Sequence, residues 1–216
     1  MESKTNSSIS VSGTNGSTSD LPSSTMRRRT FLASASSGSA LAALSGCLGA
    51  SEGNVRPETN PDDVPVEFAC DDDALERYPT GYESVDLRWG DTGSASLRVE
   101  DLSYEYGDTT EITLAAPVRG NADKWNVEVY TERGWIEVRT VEAGRRLSTT
   151  DEDVEGGHTW NLGLTEDGIV EASRNPDRVR VCPDLVSGRY RFVYHGLIDG
   201  ETGEVGSVAV SFDVEV

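Results

Sequence analysis

Few residues after Cys47 have side chains that commonly catalyse reactions or bind metals. That part of the chain contains two histidines, His158 and His195, and no methionine. A histidine beside a carboxylate can act as a general base, which makes His195 the candidate residue of a small hydrolase. Copper-trafficking domains use clusters of Met and His, and this composition argues against that role. We therefore predict no catalytic residue, no metal site and no cofactor, and keep the hydrolase as the least favoured alternative.

Two acidic runs, residues 71–73 and 151–153, contain carboxylates that could attract calcium. Calcium-binding loops distribute their ligands over about 12 residues and include a glycine and a terminal glutamate, and neither run has that spacing. We interpret both runs as solvated surface, and the sequence leaves calcium binding open.

Four tryptophans, Trp89, Trp125, Trp135 and Trp160, could form a platform for carbohydrate. They lie in segments where apolar and polar residues alternate, which predicts that most of them belong to a core. Trp135 comes just after a turn at Arg133-Gly134, so it is the one that could be exposed. A sugar-binding role is therefore a minor alternative.

Residues 26–47 have the features of an export signal. A basic start precedes a stretch that is too short and too polar to cross a bilayer, which needs about 20 apolar residues. Two motifs resemble known signals: the twin-arginine motif, with Arg28, Arg29, Phe31 and Leu32, and the lipobox, with Leu44, Ser45, Gly46 and Cys47. The first resemblance implies export in the folded state. The second implies cleavage before Cys47 and a lipid on its thiol, which anchors the protein at the outer face of the cell membrane.

Composition distinguishes the segments on either side of this signal, residues 1–25 and 48–63, from the folded domain. Residues 1–25 are rich in Ser, Thr, Asn and Gly and have no apolar periodicity, so we expect them to be disordered. Met26 stands where such a signal normally begins, which leaves open whether translation starts at Met1 or Met26. Residues 48–63 are polar and contain four Gly or Pro residues, which predicts a flexible tether, and residues 64–216 are the folded domain.

The charge of the chain is strongly negative. The first 47 residues contain four of the 19 basic and two of the 38 acidic residues, which leaves 15 and 36 and a net charge of −21. Lys124 is the one lysine in that part. Such a surface resembles the proteins of extreme halophiles, especially haloarchaea, whose self-repulsion is screened at molar salt; an ordinary acidic extracellular protein is the alternative. We expect the domain to lose structure at low salt, and we expect no nucleic-acid partner, because phosphate binding needs clustered bases.

Two cysteines remain after Cys47, namely Cys70 and Cys182. An exported protein meets an oxidising environment, so an even pair predicts a disulfide. The alternative is two separate buried thiols.

The folded domain consists of short alternating runs bounded by Gly, Asp, Asn or Pro, which predicts strands. These runs are residues 96–100, 111–114, 126–130, 135–139, 158–164, 178–181, 190–194 and 208–216. No segment has convincing helical periodicity, and residues 71–78 would make one or two turns at most. Seven or eight strands at this spacing predict one all-β antiparallel sandwich.

A family resemblance supports this fold class. Residues 123–130 followed by 134–138 resemble the central hairpin of bacterial-type immunoglobulin-like domains, and Leu185, Gly188 and Tyr190 match the L-x-x-G-x-Y pattern of the penultimate strand. The resemblance implies an immunoglobulin-like β-sandwich in which Tyr190 forms a tyrosine corner, with its hydroxyl bonded to backbone upstream. Cys182 precedes Tyr190, unlike the second cysteine of antibody domains, so a disulfide here would attach the N-terminal segment near the domain edge.

These observations favour a lipid-anchored surface module that binds an envelope or extracellular protein without catalysis, with the connection from Glu142 to Gly157 as its candidate binding loop. An inhibitor or chaperone of exported proteins, such as secreted proteases, is the alternative, and it would use residues 145–153. The binding partner, the physiological process and the oligomeric state do not follow from the sequence.

Overall fold

The computed structural model describes residues 53–93, 95–116, 119–145, 154, 156–198 and 206–216, without the side chains of Arg119 and Ile198. The chain divides into two compact units, Met1–Gly46 and Cys47–Val216, and every described residue belongs to the second. The predictions for residues 1–25, the export motif, the lipobox and Cys47 fall outside the described residues, as do residues 146–153 of the candidate binding loop.

Fourteen strands and one α-helix occur in the described residues. The strands are β1 (Leu75–Arg77), β2 (Leu87–Trp89), β3 (Ser96–Val99), β4 (Ser103–Glu105), β5 (Thr109–Ala115), β6 (Arg119–Gly120), β7 (Trp125–Thr131), β8 (Gly134–Glu137), β9 (Arg139–Glu142), β10 (His158–Gly163), β11 (Val179–Val181), β12 (Gly188–Tyr194), β13 (Leu197–Ile198) and β14 (Ser207–Glu215). Helix α1 is Glu166–Ala172, and two short 3₁₀ helices are Ser84–Asp86 and Pro176–Arg178. The domain is therefore mostly β, as its alternating sequence predicts.

Two main sheets hold most of the strands. The larger sheet has the order β2-β14-β12-β7-β8, with β4 also pairing with β14, and the second sheet has the order β10-β5-β3. Most pairs are antiparallel, whereas β2 and β4 run parallel to β14. Strands β1, β9 and β11 form a third sheet, and β6 pairs with β13.

The core lies between the two main sheets because each contributes alternate apolar side chains. Strand β5 alternates buried and more exposed residues, which places Ile112 and Leu114 inside. The larger sheet contributes Trp125, Phe192 and Phe212, each nearly inaccessible. Burying a large apolar side chain contributes about 1.5–3 kcal/mol, so this layer is the main source of stability. Trp160 also belongs to the core, while Trp89 and Trp135 are partly exposed.

Each of the eight predicted runs overlaps a strand, but the strand at 135–139 is interrupted. Strand β8 pairs with β7 and ends at Glu137, whereas β9 begins at Arg139 and pairs with β1 and β11. Val138 lies between them and donates its backbone N–H to Val127. Alternation shows which side chains are buried but not which sheet a strand joins, so the sequence could not reveal this switch.

The prediction of no helix was wrong for residues 166–172. Thr165 caps helix α1 by accepting a 2.9 Å hydrogen bond from the backbone N–H of Gly168, and Glu166 lies in the acidic first turn. Seven residues are too few for a clear helical period, so the N-cap threonine and the following acidic pair were the only usable signals. The segment considered for a helical turn contains a strand instead, β1.

The N-terminal segment was predicted to be a flexible tether as far as Asp63, but it contacts the sandwich from Asn54 onward. Asn54 exchanges two backbone hydrogen bonds with Val99, at 2.8 and 2.9 Å. The Val55 carbonyl accepts from the backbone N–H of Ser211, and the Thr59 carbonyl accepts from Arg189. The part of residues 48–63 that starts at Asn54 therefore lies against the domain.

The disulfide predicted between Cys70 and Cys182 is present, with 5.3 Å between the Cα atoms. Cys182 directly follows β11, and Cys70 lies two residues after Phe68, whose side chain belongs to the core. Arg77 donates to the carbonyls of both Phe68 and Cys182. The bridge thus fastens the N-terminal segment to the edge of the domain, as its position in the sequence suggested.

Candidate functional site

The outer face of the larger sheet carries charged side chains that are buried. Glu128 on β7 lies opposite Arg191 on β12, and the Arg191 guanidinium donates to the Glu128 carboxylate at 2.7 Å from Nε. Only 2% of the Glu128 side chain and 7% of the Arg191 side chain are exposed. Buried charges are tolerated only when they are paired and hydrogen-bonded, so this ion pair must be assembled whenever the domain is folded.

A second buried ion pair lies beside the first. The Arg139 Nε donates to Glu137 Oε1 at 2.8 Å, and both side chains are at most 2% exposed. Arg139 also donates to the Trp125 carbonyl, and Asn126 donates its amide to Glu137. Burial raises the pKa of the Glu137 carboxyl, and the adjacent Arg139 guanidinium opposes that rise. Both charged groups of this pair are therefore hydrogen-bonded.

Residues 78–86, here called the strap, cross this charged face. The Tyr78 ring lies 4.1 Å from the Arg139 guanidinium, which is a favourable cation–π distance. The Tyr82 hydroxyl donates to Glu128 and accepts a 3.0 Å hydrogen bond from Arg191. Burial, reinforced by Glu128, raises the pKa of Tyr82 well above its usual value. Tyr82 is consequently protonated and connects the strap to the first ion pair.

Three aromatic side chains, Trp89, Tyr130 and Trp135, form what we call the aromatic roof. Tyr130 and Trp135 are directly opposite each other on β7 and β8, with ring centroids 5.1 Å apart, and Trp89 lies 6.4 Å from Trp135. The Arg191 guanidinium lies 4.4 Å from the centroid of Trp135. Because Arg191 is nearly buried and the roof is partly exposed, the rings cover the ion pair and present their remaining surface to solvent.

His195 directly follows β12 and is buried. Within the part of the chain that the structure describes, its Nε2 atom has no hydrogen-bond partner, and its ring packs against Gly81 and Tyr82 of the strap. Burial, together with the nearby Arg139 and Lys124 cations, lowers the pKa of His195 to about 4. The imidazole is therefore neutral at neutral pH, and the charges that shift its pKa belong to cations rather than to a carboxylate.

A glycine is required at position 81 because the strap passes very close to His195. A Cβ atom added to Gly81 would lie 2.4 Å from His195 Cε1. Contacts this short force neighbouring atoms to move, which costs about 1–3 kcal/mol in a packed region. The small residue thus lets the strap seal the imidazole from solvent.

The other predicted site residues are not brought together with this face. Asp71, Asp72 and Asp73 line an open depression beside Cys182, and no group of three potential metal ligands occurs in the described residues. The Tyr190 hydroxyl accepts from the backbone N–H of Val186 at 3.0 Å and donates to its carbonyl at 2.6 Å.

One motif in the sequence is not among the predicted site residues. Gly49-Ala50-Ser51-Glu52-Gly53 matches the Gly-x-Ser-x-Gly pattern of a nucleophile elbow. Of these five residues only Gly53 is described, and it lies against the side chain of Arg98 on β3. A true elbow follows a strand and opens a helix, and the described chain after Gly53 continues into Asn54, which bridges to Val99. We therefore assign no nucleophile from this match.

The charged face and its roof were not predicted from the sequence, although a signal existed. Polar or charged residues at alternate positions, such as Asn126 and Glu128 or Arg189 and Arg191, usually indicate a solvated sheet face. Here the strap and the roof cover that face. The near absence of lysine among the basic residues was the available hint, since arginine is favoured in buried ion pairs.

The described residues contain no helix that is both long and apolar enough to cross a membrane. Comparisons with known proteins give no independent identification. No protein-family model, curated protein or solved structure matches the chain.

Proposed function

We propose that the domain is an immunoglobulin-like sandwich. The strand order supports this: β3, β5 and β10 form one sheet and β8, β7, β12 and β14 the other, in the arrangement of the A-B-E and C′-C-F-G strands of such domains. The parallel pairing of β4 with β14 corresponds to the A′ and G strands. The hydrogen bonds of Tyr190 agree with the corner that the resemblance implies.

We propose that this domain is the exported part of a lipid-anchored binding module that recognises an envelope or extracellular protein without catalysis. The arginine motif and the lipobox that ends at Cys47 support export and anchoring. The disulfide between Cys70 and Cys182 is compatible with an oxidising location. The strong negative charge supports a halophilic source.

The aromatic roof is the observation that carries the binding role. Trp89, Tyr130 and Trp135 are partly exposed on regular strands, whereas most other aromatic rings of the larger sheet are in the core. Aromatic groups are enriched at recognition surfaces because they offer large contact area and lose little conformational entropy on binding. The ion pair between Glu128 and Arg191 holds the roof from below, so the surface is already formed before a partner arrives.

The contacts of Asn54 imply that an anchored domain stays close to the membrane. Seven Cα-to-Cα steps separate Cys47 from Asn54, and a fully extended chain spans at most about 3.6 Å per residue. Asn54 could then lie at most about 25 Å from the anchor, which keeps the near side of the domain close to the membrane.

Site-specific photocrosslinking in the native cell tests the binding role. A benzophenone amino acid at Tyr130 should yield a discrete crosslinked protein, whereas the same group at Thr159, exposed on β10 of the other sheet, should not. Equal crosslinking from both positions, or none from Tyr130, would reject the roof as the binding surface. The intact mass of the protein from native membranes tests anchoring: it should begin at Cys47 and include a lipid.

No described contact favours the alternatives. The segment assigned to protease inhibition, residues 145–153, is described only at Arg145, which pairs with Glu142. For the hydrolase, the His195→Ala variant should retain any activity that is found in the wild type. A loss of hydrolysis in that variant, with folding intact, would reinstate this candidate.

A further inference from the structure

We propose that the aromatic roof, formed by Trp89, Tyr130 and Trp135, binds the sugar rings of a glycan carried by the partner. This inference rests on the binding role proposed above and names the chemistry that the same surface recognises. The sequence predicted that most tryptophans are core residues and that Trp135 could be exposed. Trp125 and Trp160 belong to the core, whereas Trp89 as well as Trp135 is partly exposed on the outer face.

The geometry of the rings suits a pyranose. One face of a pyranose carries several C–H bonds, which pack favourably on the electron-rich face of an aromatic ring. The Tyr130 and Trp135 rings are tilted by 54° and the Trp89 and Trp135 rings by 52°, so neighbouring rings present two differently inclined surfaces. A sugar that stacks on one ring therefore also contacts the next.

The roof is held rigidly, which lowers the entropic cost of binding. Tyr130 and Trp135 are a directly opposed cross-strand pair. Arg191 supports Trp135 from below at 4.4 Å and is fixed by Glu128. Above the sheet edge, the Arg56 guanidinium lies 5.5 Å from the centroid of Trp89. The rings thus keep their relative positions in the unbound domain.

The exposed apolar area is small enough to favour a sugar over a flat protein surface. Each roof side chain is at most about a third exposed, with Tyr130 the most accessible at 36%. Since an aromatic side chain buries about 150–250 Å² when fully covered, the roof offers roughly 200 Å². A specific protein–protein interface buries about 800 Å² per partner, so a protein partner would also have to contact surface well beyond the three rings. One or two sugar rings would cover the roof completely.

A polar pair lies at the turn that joins the strands of Tyr130 and Trp135. Arg133, in this turn between β7 and β8, forms an exposed ion pair with Glu67 at 3.1 Å. Guanidinium N–H groups donate and carboxylate oxygens accept, and vicinal hydroxyls can use both. A proline-rich peptide, the other common ligand of aromatic surfaces, offers acceptors but few donors. A donor and an acceptor held together at this turn therefore suit a sugar better than such a peptide.

Titration of the purified domain with defined neutral oligosaccharides tests this inference. The probes are maltohexaose, cellohexaose, chitohexaose and mannohexaose, with decaproline as the competing peptide, and tryptophan fluorescence and calorimetry report binding at constant high salt. We expect at least one hexasaccharide to bind, and the Tyr130→Ser variant to weaken that binding at least tenfold. Tyr106→Ser, which removes an exposed aromatic ring outside the roof, is the matched control and should bind normally.

Tyr130→Ser is preferred to a Trp135 variant because Tyr130 is the more exposed ring, and near-ultraviolet circular dichroism verifies its fold. Three results would each overturn the inference: none of the four sugars binds, only decaproline binds, or Tyr130→Ser binds sugar as well as the wild type does. The binding role itself would survive such a result if Tyr130 still crosslinks the same protein after the cell surface has been enzymatically deglycosylated. Loss of the crosslink on deglycosylation supports the glycan.

Discussion

Lowering the pH should destabilise this domain through protonation of His195, and the structure predicts the size of the loss in the free energy of unfolding. Burial lowers the pKa of His195 to about 4, whereas an unperturbed histidine has a pKa near 6.5. Between these two pH values the unfolded chain binds a proton at this residue and the folded domain does not. Proton uptake by the unfolded state favours unfolding, so the free energy of unfolding must fall as the pH decreases from about 6.5 to about 4 and then level off for this residue.

The size of the effect follows from the pKa difference. Each unit corresponds to about 1.4 kcal/mol, so the lowering at His195 corresponds to a loss of about 3 kcal/mol over that pH range. The structural cause is burial: Tyr82 and Gly81 of the strap pack on the ring, Nε2 has no partner among the described residues, and the nearby charges on Arg139 and Lys124 are positive. Protonation would create an unpaired buried charge.

Replacing the imidazole isolates this contribution from that of the many carboxylates. Urea unfolding of the wild type and of His195→Phe, followed by tryptophan fluorescence at fixed high salt, gives the free energy of unfolding at several pH values from 7 to 4. The wild type should lose about 3 kcal/mol more than His195→Phe over this range. Identical losses in the wild type and His195→Phe would refute the reasoning.

Three further perturbations address the buried pairs, the disulfide and the strap. Glu137→Gln should destabilise the domain by about 3–5 kcal/mol in urea unfolding, because it leaves the Arg139 charge buried without its partner. Replacing Cys70 and Cys182 together by serine opens a loop of 112 residues, which should lower the free energy of unfolding by about 4–5 kcal/mol; reduction of the wild type should have the same effect. Gly81→Ala should lower the melting temperature, since the added methyl group collides with the buried imidazole and costs about 1–3 kcal/mol.

Matched variants separate these effects from nonspecific ones. Glu132→Gln removes the same charge at an exposed position and should change stability by less than about 0.5 kcal/mol. Gly206→Ala places its methyl group at an ordinary contact distance of 3.7 Å from Leu197 and should be well tolerated. A Glu137→Gln variant as stable as Glu132→Gln would mean that the pair does not remain buried in solution, and an unchanged melting temperature for Gly81→Ala would mean that the strap can move away from the sheet.

The sequence by itself was sufficient for the mostly β character, for the eight strand-containing runs that it predicted and for the disulfide, but not for the short strands β1, β2, β4, β6 and β13. Alternation in runs such as 111–114 and 190–194 reflects burial on one side of a sheet, which is a local property of the chain. The pairing of Cys70 with Cys182 followed from their number, since only two cysteines remained after Cys47. Export and anchoring through Cys47 are also read from local motifs, and they stay predictions.

Only the tertiary structure decided which charged residues are buried. Glu128 and Arg191 alternate with core residues as solvated side chains would, and they become buried because the strap, residues 78–86, and Trp135 lie over them. The strap is at least 42 residues away along the chain from Glu128. Local patterns record whether a side chain faces the core, but they carry no information about what a distant segment lays across the opposite face.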